Sequence, residues 1–254
     1  MNSQKPLAID LFCGLGGWAE GFISEGWTVI GFDIERHDYG TGGYPGQLVL
    51  QDVLTLHGSQ FKDAACVVAS PPCQAYSYRA MPWKRAKALP PPDNTLFEAC
   101  FRIQREACEA AGRHIPMVVE NVRGAQPWVG RAAWNFGSYY LWGDVPALMP
   151  TAMKAQEFNP DGTNHGVGSW FAVADSKNRG ANGRKSDGSG WTPNGSMVDQ
   201  KRMVPYKVPG FRFNSRKAAS AMIAKIPFPL AQHIARVFKP VSLTVPHQEG
   251  KNDV

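Results

Sequence analysis

The sequence predicts an α/β fold, an open doubly wound sheet with helices on both faces. Four apolar runs, at residues 7–12, 28–32, 64–69 and 116–119, are each too short for a core helix and are bounded by turn residues. Helical patterns separate them, the clearest over 95–111. The chain has 254 residues and is 43% hydrophobic, enough for one sizeable core. Strands of a parallel sheet are covered on both faces and read as near-continuous apolar runs, and their alternation with helices is the βαβ signature.

The elements follow in order. LAIDLF leads into the glycine-rich turn Cys13-Gly14-Leu15-Gly16-Gly17, and a helical pattern continues to about residue 25. TVIGF ends at Asp33. AACVVA runs into Ser70-Pro71-Pro72-Cys73-Gln74, and PMVV into Glu120-Asn121. After about residue 150 the composition shifts. The stretch 151–209 is rich in Gly, Asn, Ser and basic residues and has little periodicity, so it reads as an irregular insertion. Helical patterning returns at 215–224 and 229–238, where Pro229 suits a first helical turn. The expected organisation is a main domain over 1–150, a small region over 151–213, helices over 214–240 completing the main domain, and a polar tail over 241–254.

Charge is unevenly placed. Residues 176–240 carry 13 Lys or Arg against Asp187 and Asp199, within a chain of net charge +6. A concentrated basic segment on an otherwise mildly acidic protein suits a polyanion, and a solvated basic face is the plain alternative. The five cysteines form no CxxC pair, which points to a reducing, cytoplasmic setting rather than a disulfide framework. The start, MNSQKPLAIDLF, lacks an apolar run after a basic opening, so no secretory leader is expected; no apolar stretch is long enough to span a membrane. Neither a metal nor a membrane partner is expected, and a monomer is.

Ligands of open α/β sheets bind beyond the carboxyl ends of the strands. Gly14–Gly17, Asp33, Ser70–Gln74 and Glu120–Asn121 therefore converge on one crevice. A glycine turn between strand and helix lets a ligand approach backbone amides, although many such turns serve packing alone. Asp33 stands where an acid can bind ribose hydroxyls, with a helix cap as its alternative role and Glu35 as a rival. Asp52 either accepts from an adenine amino group or caps a turn. Two prolines hold Cys73 in place at a strand end, where a stabilised thiolate is a nucleophile. Cys66, Cys100 and Cys108 read as buried and inert. Glu120, leaving a hydrophobic strand, should have a raised pKa and could donate a proton.

These motifs, in this order and at strand ends, resemble those of the DNA cytosine-5 methyltransferases. DLFCGLGG resembles the first cofactor-binding motif, SPPCQ followed by Ala-Tyr-Ser resembles the catalytic loop, and ENV resembles the cytosine-binding glutamate motif. The resemblance covers about 7–150 and, weakly, 215–238. It implies the Rossmann-like mixed sheet of S-adenosylmethionine (SAM)-dependent methyltransferases, with a target-recognition region over 151–213. It also implies methyl transfer from SAM to C5 of a cytosine flipped out of DNA. Cys73 would add covalently at C6 and Glu120 would bind the N3 edge, with Gln74 and Asn121 flanking them. The implied cofactor residues are Asp10, Phe12, Gly14, Gly16, Gly17, Asp33, Ile34, Asp52, Val53, Pro71 and Leu96, the last against the adenine. Ser77, Arg79, Lys84, Arg85, Arg184 and Lys185 would contact the nucleic acid.

The chain departs from the family pattern twice. The usual Gln-x-Arg-x-Arg segment is absent, and residues 135–142 (NFGSYYLW) occupy its region; Arg123 or Arg131 could substitute. The usual Gly-Asn-Ser-Val-Pro appears as Ile223-Ala-Lys-Ile-Pro227. Lys225 beside a sulfonium would be unfavourable and would suit a carboxylate-bearing donor such as carboxy-SAM. RNA methylation and a silent DNA-binding module are the competing functions. The compact size is similar to that of phage-encoded members.

Overall fold

A computed structural model describes residues 5–39, 42–77, 90–150, 221–222 and 224–240. The regions expected at 151–213 and 241–254, and the helix at 215–224 apart from its last turn, lie outside the described residues.

Seven strands form one sheet in the order β3-β2-β1-β4-β5-β7-β6. They are β1 (Leu7–Leu11), β2 (Thr28–Asp33), β3 (Gln47–Leu50), β4 (Cys66–Ala69), β5 (Met117–Asn121), β6 (Trp134–Phe136) and β7 (Tyr139–Gly143). The first five run parallel, β7 returns antiparallel to β5, and β6 pairs with β7. The order reverses between β1 and β4, so a crevice opens at the carboxyl ends of these two strands.

Alternation along the strands divides the core in two. Ile9, Leu11, Val67, Ala69, Met117 and Val119 face α2 (Thr95–Ala111), which contributes Phe97, Cys100, Ile103 and Ala107. Ala8, Cys66, Val68 and Val118 face α1 (Gly17–Ser24) and, after the short α3 (Gln126–Val129), α4 (Phe228–Phe238), which supply Trp18, Phe22, Leu230, Ala231 and Ile234. Asp10 and Glu120 continue this second set by the two-residue period of a strand. Both are buried polar residues.

Helices α1 and α4 pack closely because α1 offers no side chain at two contacts. A Cβ at Gly17 would lie 2.5 Å from the Ile226 amide nitrogen, and one at Gly21 would lie 2.4 Å from the Ala231 Cβ. Three strands were missing from the sequence expectation. β3 is a half-exposed edge strand of four residues, and β6–β7 is a short hairpin turning at Gly137–Ser138. Residues 135–142 thus form a hairpin that pairs along the strand carrying Glu120, with Glu120 opposite Leu141.

Candidate active site

The glycine turn holds three left-handed residues, Phe12 (φ 56°), Gly14 (φ 48°) and Gly16 (φ 75°). Its two glycines answer different needs. A Cβ at Gly14 would meet nothing within 4 Å, so the backbone there is open to a ligand. At Gly16 a Cβ would meet the Pro45 ring at 2.4 Å, because Tyr44 and Pro45 cover the turn. Asp33 fastens the turn to β2: its Oδ2 accepts from the Gly14 amide at 2.9 Å and its Oδ1 from the Glu35 amide at 3.3 Å. The His37 ring lies 3.5 Å from both Asp33 and Glu35. Ile34 beside them is 74% exposed, an apolar side chain without cover.

Other residues of the implied cofactor set are placed differently. Asp52 is exposed and caps the turn Val53–Thr55, its carboxylate accepting from the Leu54 amide at 2.9 Å. Val53 is buried in the core and Leu96 is half-buried. Asp10 is fully buried; it accepts from the Tyr44 hydroxyl at 3.0 Å through Oδ2, while Oδ1 has no hydrogen-bond partner. Burial pushes its pKa well above the carboxylate range. Asp10 therefore belongs beneath the turn rather than on a ligand surface. Lys225 pairs with Glu20 on α1, so its charge has a carboxylate already. The electrostatic reason for a carboxylate-bearing donor is thereby removed.

The loop after β4 presents the cysteine. Pro71 is buried, and its carbonyl accepts from the Asn121 side chain at 2.9 Å, which ties the loop to the end of β5. Cys73 precedes the short turn Gln74–Tyr76. The Ser77 hydroxyl donates to the Cys73 carbonyl at 2.9 Å, and the Tyr76 hydroxyl to Asn94 at 2.9 Å. Cys73 is half-buried and Gln74 exposed. Burial raises the Cys73 pKa, the Ser77 hydroxyl offsets part of this, and the Glu120 charge adds to it.

Glu120 is buried and its pKa is pushed up to about 8 by desolvation, with a hydrogen bond from Ser70 pulling the other way. Its charge also acts on Tyr139, raised to about 12 mainly by burial. At neutral pH Glu120 is thus mostly a neutral acid able to donate, and it is electrostatically coupled to Cys73. Burial raises Cys13, Cys66 and Cys100 far above the ordinary thiol range, so they stay protonated.

Arg123 and Arg131 are exposed on the segment after β5, and Ser77 lies on the cysteine loop. Arg79, Lys84, Arg85, Arg184 and Lys185 lie outside the described residues. Among the described residues no group of three His, Cys, Asp or Glu could hold a metal ion, and no helix is long and apolar enough to cross a membrane. Sequence reasoning assigned Trp18 and Tyr44 no role and counted Ser70 in the cysteine motif without a partner, because an apolar-run pattern carries no signal for a polar group beneath a site.

Residues 7–126 match the sequence model of the C-5 cytosine-specific DNA methylases. A comparison with curated proteins found no match. Among solved structures, the chain is similar to a protein encoded within an E. coli prophage and assigned as a DNA modification methyltransferase. Identity there is 24%, over 50% of this chain and 35% of that one, with a TM-score of 0.36. It is also similar to the S. pombe Dnmt2 methyltransferase, at 16% identity over 48% and 36% of the two chains and a TM-score of 0.33. The Entamoeba histolytica methyltransferase EhMeth matches at 16% identity, over 50% of this chain and 41% of that one, with a TM-score of 0.35. The matched region spans between a third and about two fifths of the length of these structures.

Proposed function

We propose, from the match of residues 7–126 to the C-5 cytosine-specific DNA methylase model, that the chain methylates cytosine C5 in DNA using SAM. The observation that carries the reading is geometric: Cys73 and the buried Glu120 follow the ends of the paired parallel strands β4 and β5, and Asn121 ties the cysteine loop to β5 through the Pro71 carbonyl. Cytosine C5 is a weak nucleophile. Addition of the Cys73 thiolate at C6 gives an enamine-like ring, and a proton from Glu120 at N3 absorbs the electron density that addition pushes there. The neutral form of Glu120 serves twice, since it donates that proton and spares the Cys73 thiolate a neighbouring negative charge.

The turn fits the cofactor. Gly14 opens onto free space, Asp33 lies at its rim, and the exposed Ile34 offers an apolar surface to a purine. We assign Phe12, Gly14, Asp33 and Ile34 to the cofactor site. When bound, SAM would supply the electrophilic methyl group; once C5 carries it, loss of the C5 proton to water breaks the bond between Cys73 and C6 and frees the thiolate. SAM itself, rather than its carboxylated form, is the expected donor, because Glu20 satisfies Lys225. Asn121 holds Pro71 and so positions the cysteine loop, while Arg123 and Arg131 are free to meet phosphates. The target base must leave the duplex to reach Cys73.

The test is transfer of labelled methyl from SAM to duplex DNA and to transfer RNA, followed by bisulfite sequencing. The reading predicts label in DNA at cytosine C5 and none after Cys73→Ala. Label in transfer RNA alone would assign the activity to RNA instead.

A further inference from the structure

We infer that Trp18 and Ser70 form a one-way hydrogen-bond chain that fixes the orientation of Glu120 and keeps its outer oxygen as the proton donor to the base. The inference rests on the function proposed above for Glu120.

The sheet brings the three residues together. Ala69 lies in register with Val119 across β4 and β5, so Ser70 and Glu120 are the next residues on neighbouring parallel strands. By alternation both point to the face of the sheet covered by α1, where Trp18 is 2% exposed. The Trp18 indole N–H donates to Ser70 Oγ at 3.0 Å, which leaves Ser70, next to Glu120 on the neighbouring strand, with its own proton to direct at that carboxyl.

Direction follows from the inventory of protons. An indole nitrogen can only donate. A serine hydroxyl has one proton and can both donate and accept. With one lone pair of Ser70 taken by Trp18, its proton is directed at Glu120. The Glu120 oxygen facing Ser70 is therefore held as an acceptor. When Glu120 is neutral, its proton sits on the other oxygen, the one facing the crevice. Without Ser70 the carboxyl could rotate, or carry its proton on the inner oxygen and present an acceptor to cytosine N3, which is itself an acceptor. Ser70 and Trp18 are thus positioning residues: they act through Glu120 and need not touch the substrate. Cys73 and Tyr139 are titratable groups that feel the Glu120 charge.

The decisive experiment is a pH titration of Glu120 by carbon-13 NMR in the full chain labelled at glutamate, with Glu120→Gln identifying the signal. It needs neither cofactor nor DNA, so its result stands apart from the catalytic reading. Removing the donor should raise the Glu120 pKa by at least about half a unit in Ser70→Ala. Trp18→Phe should shift it the same way by less, and Ser70→Thr should restore the original value. In methyl transfer, the alkaline limb of the pH profile should move up with the titration in Ser70→Ala. Unchanged titration in folded Ser70→Ala overturns the inference, whether or not Trp18→Phe folds. A titration that moves while the pH profile of an active enzyme stays fixed would also overturn it. A moved titration in a protein that methylates nothing would sink the catalytic reading and leave the hydrogen-bond chain intact.

Discussion

At the scale of single residues, the site rests on a carboxyl group kept largely neutral and a thiol kept protonated until it is needed. Burying the carboxyl costs stability in a way that pH exposes. Glu120 has a folded pKa of about 8 against an ordinary value of 4.5. A raised folded value means that its contribution is fully present below about pH 4.5 and is lost as pH rises through about 8. Glu120→Gln lacks this titration. The variant should therefore gain on the parent between about pH 5 and 8, by up to several kcal/mol, and keep that margin above. Thermal unfolding across this range checks it, and a constant difference between the two proteins would count against a buried, neutral Glu120. The same variant should lose most of its methyl transfer. Cys73 and Glu120 were legible in the sequence because Pro-Pro-Cys and Glu-Asn follow apolar runs directly. The role of Asp10 was not, and for Asp52 the cap was one of two readings left open. A motif gives the position of an acid but not whether Tyr44 covers it, or whether it turns to cap its own backbone.

At the scale of elements, the strands that carry chemistry were readable and the edges of the sheet were not. β1, β2, β4 and β5 are buried on both faces and wrote themselves as apolar runs, and α2 begins and ends where its periodicity does. β3 alternates weakly at the sheet edge, and the β6–β7 hairpin is mostly exposed or half-exposed, so neither leaves a strong pattern. The docking of α4 on α1 was equally hidden, because it depends on missing side chains. Gly21→Ala separates two effects of opposite sign. Alanine improves helix propensity by roughly 1 kcal/mol. Its Cβ would stand 2.4 Å from that of Ala231 and 2.5 Å from the Gln232 amide nitrogen, a clash with backbone that cannot swing away. Overpacking should win, with a net loss of about 1–2 kcal/mol and a lower Tm. A neutral or stabilising result would mean that the two helices are not in contact at this point.

At the scale of the whole molecule, the charge distribution separates chemistry from grip. The catalytic groups lie in a chain segment with an acidic excess, and 13 of the 27 Lys and Arg fall within 176–240. If that segment neutralises phosphates, DNA affinity falls steeply with salt. Replacing Arg184 and Lys185 with Gln should weaken binding across sequences and reduce the slope of log affinity against log salt by about 1–2. Filter binding over a salt series measures this, and an unchanged slope would assign those charges to solvent. The sequence announced this asymmetry but not its arrangement in space, since charge counts carry no geometry.

The proposed chemistry requires Cys73 to become covalently bonded to C6 of a cytosine. It is tested most directly by incubating the protein and SAM with DNA containing 5-fluorocytosine, where the fluorine blocks release, and mapping the adduct by mass spectrometry. A stable complex is expected, joined at Cys73 and absent from Cys73→Ala, with the mass of protein plus oligonucleotide plus one CH2 unit, because the methyl group takes the place of the thiol proton. A complex joined at any other residue, or methyl transfer persisting in Cys73→Ala, would contradict it.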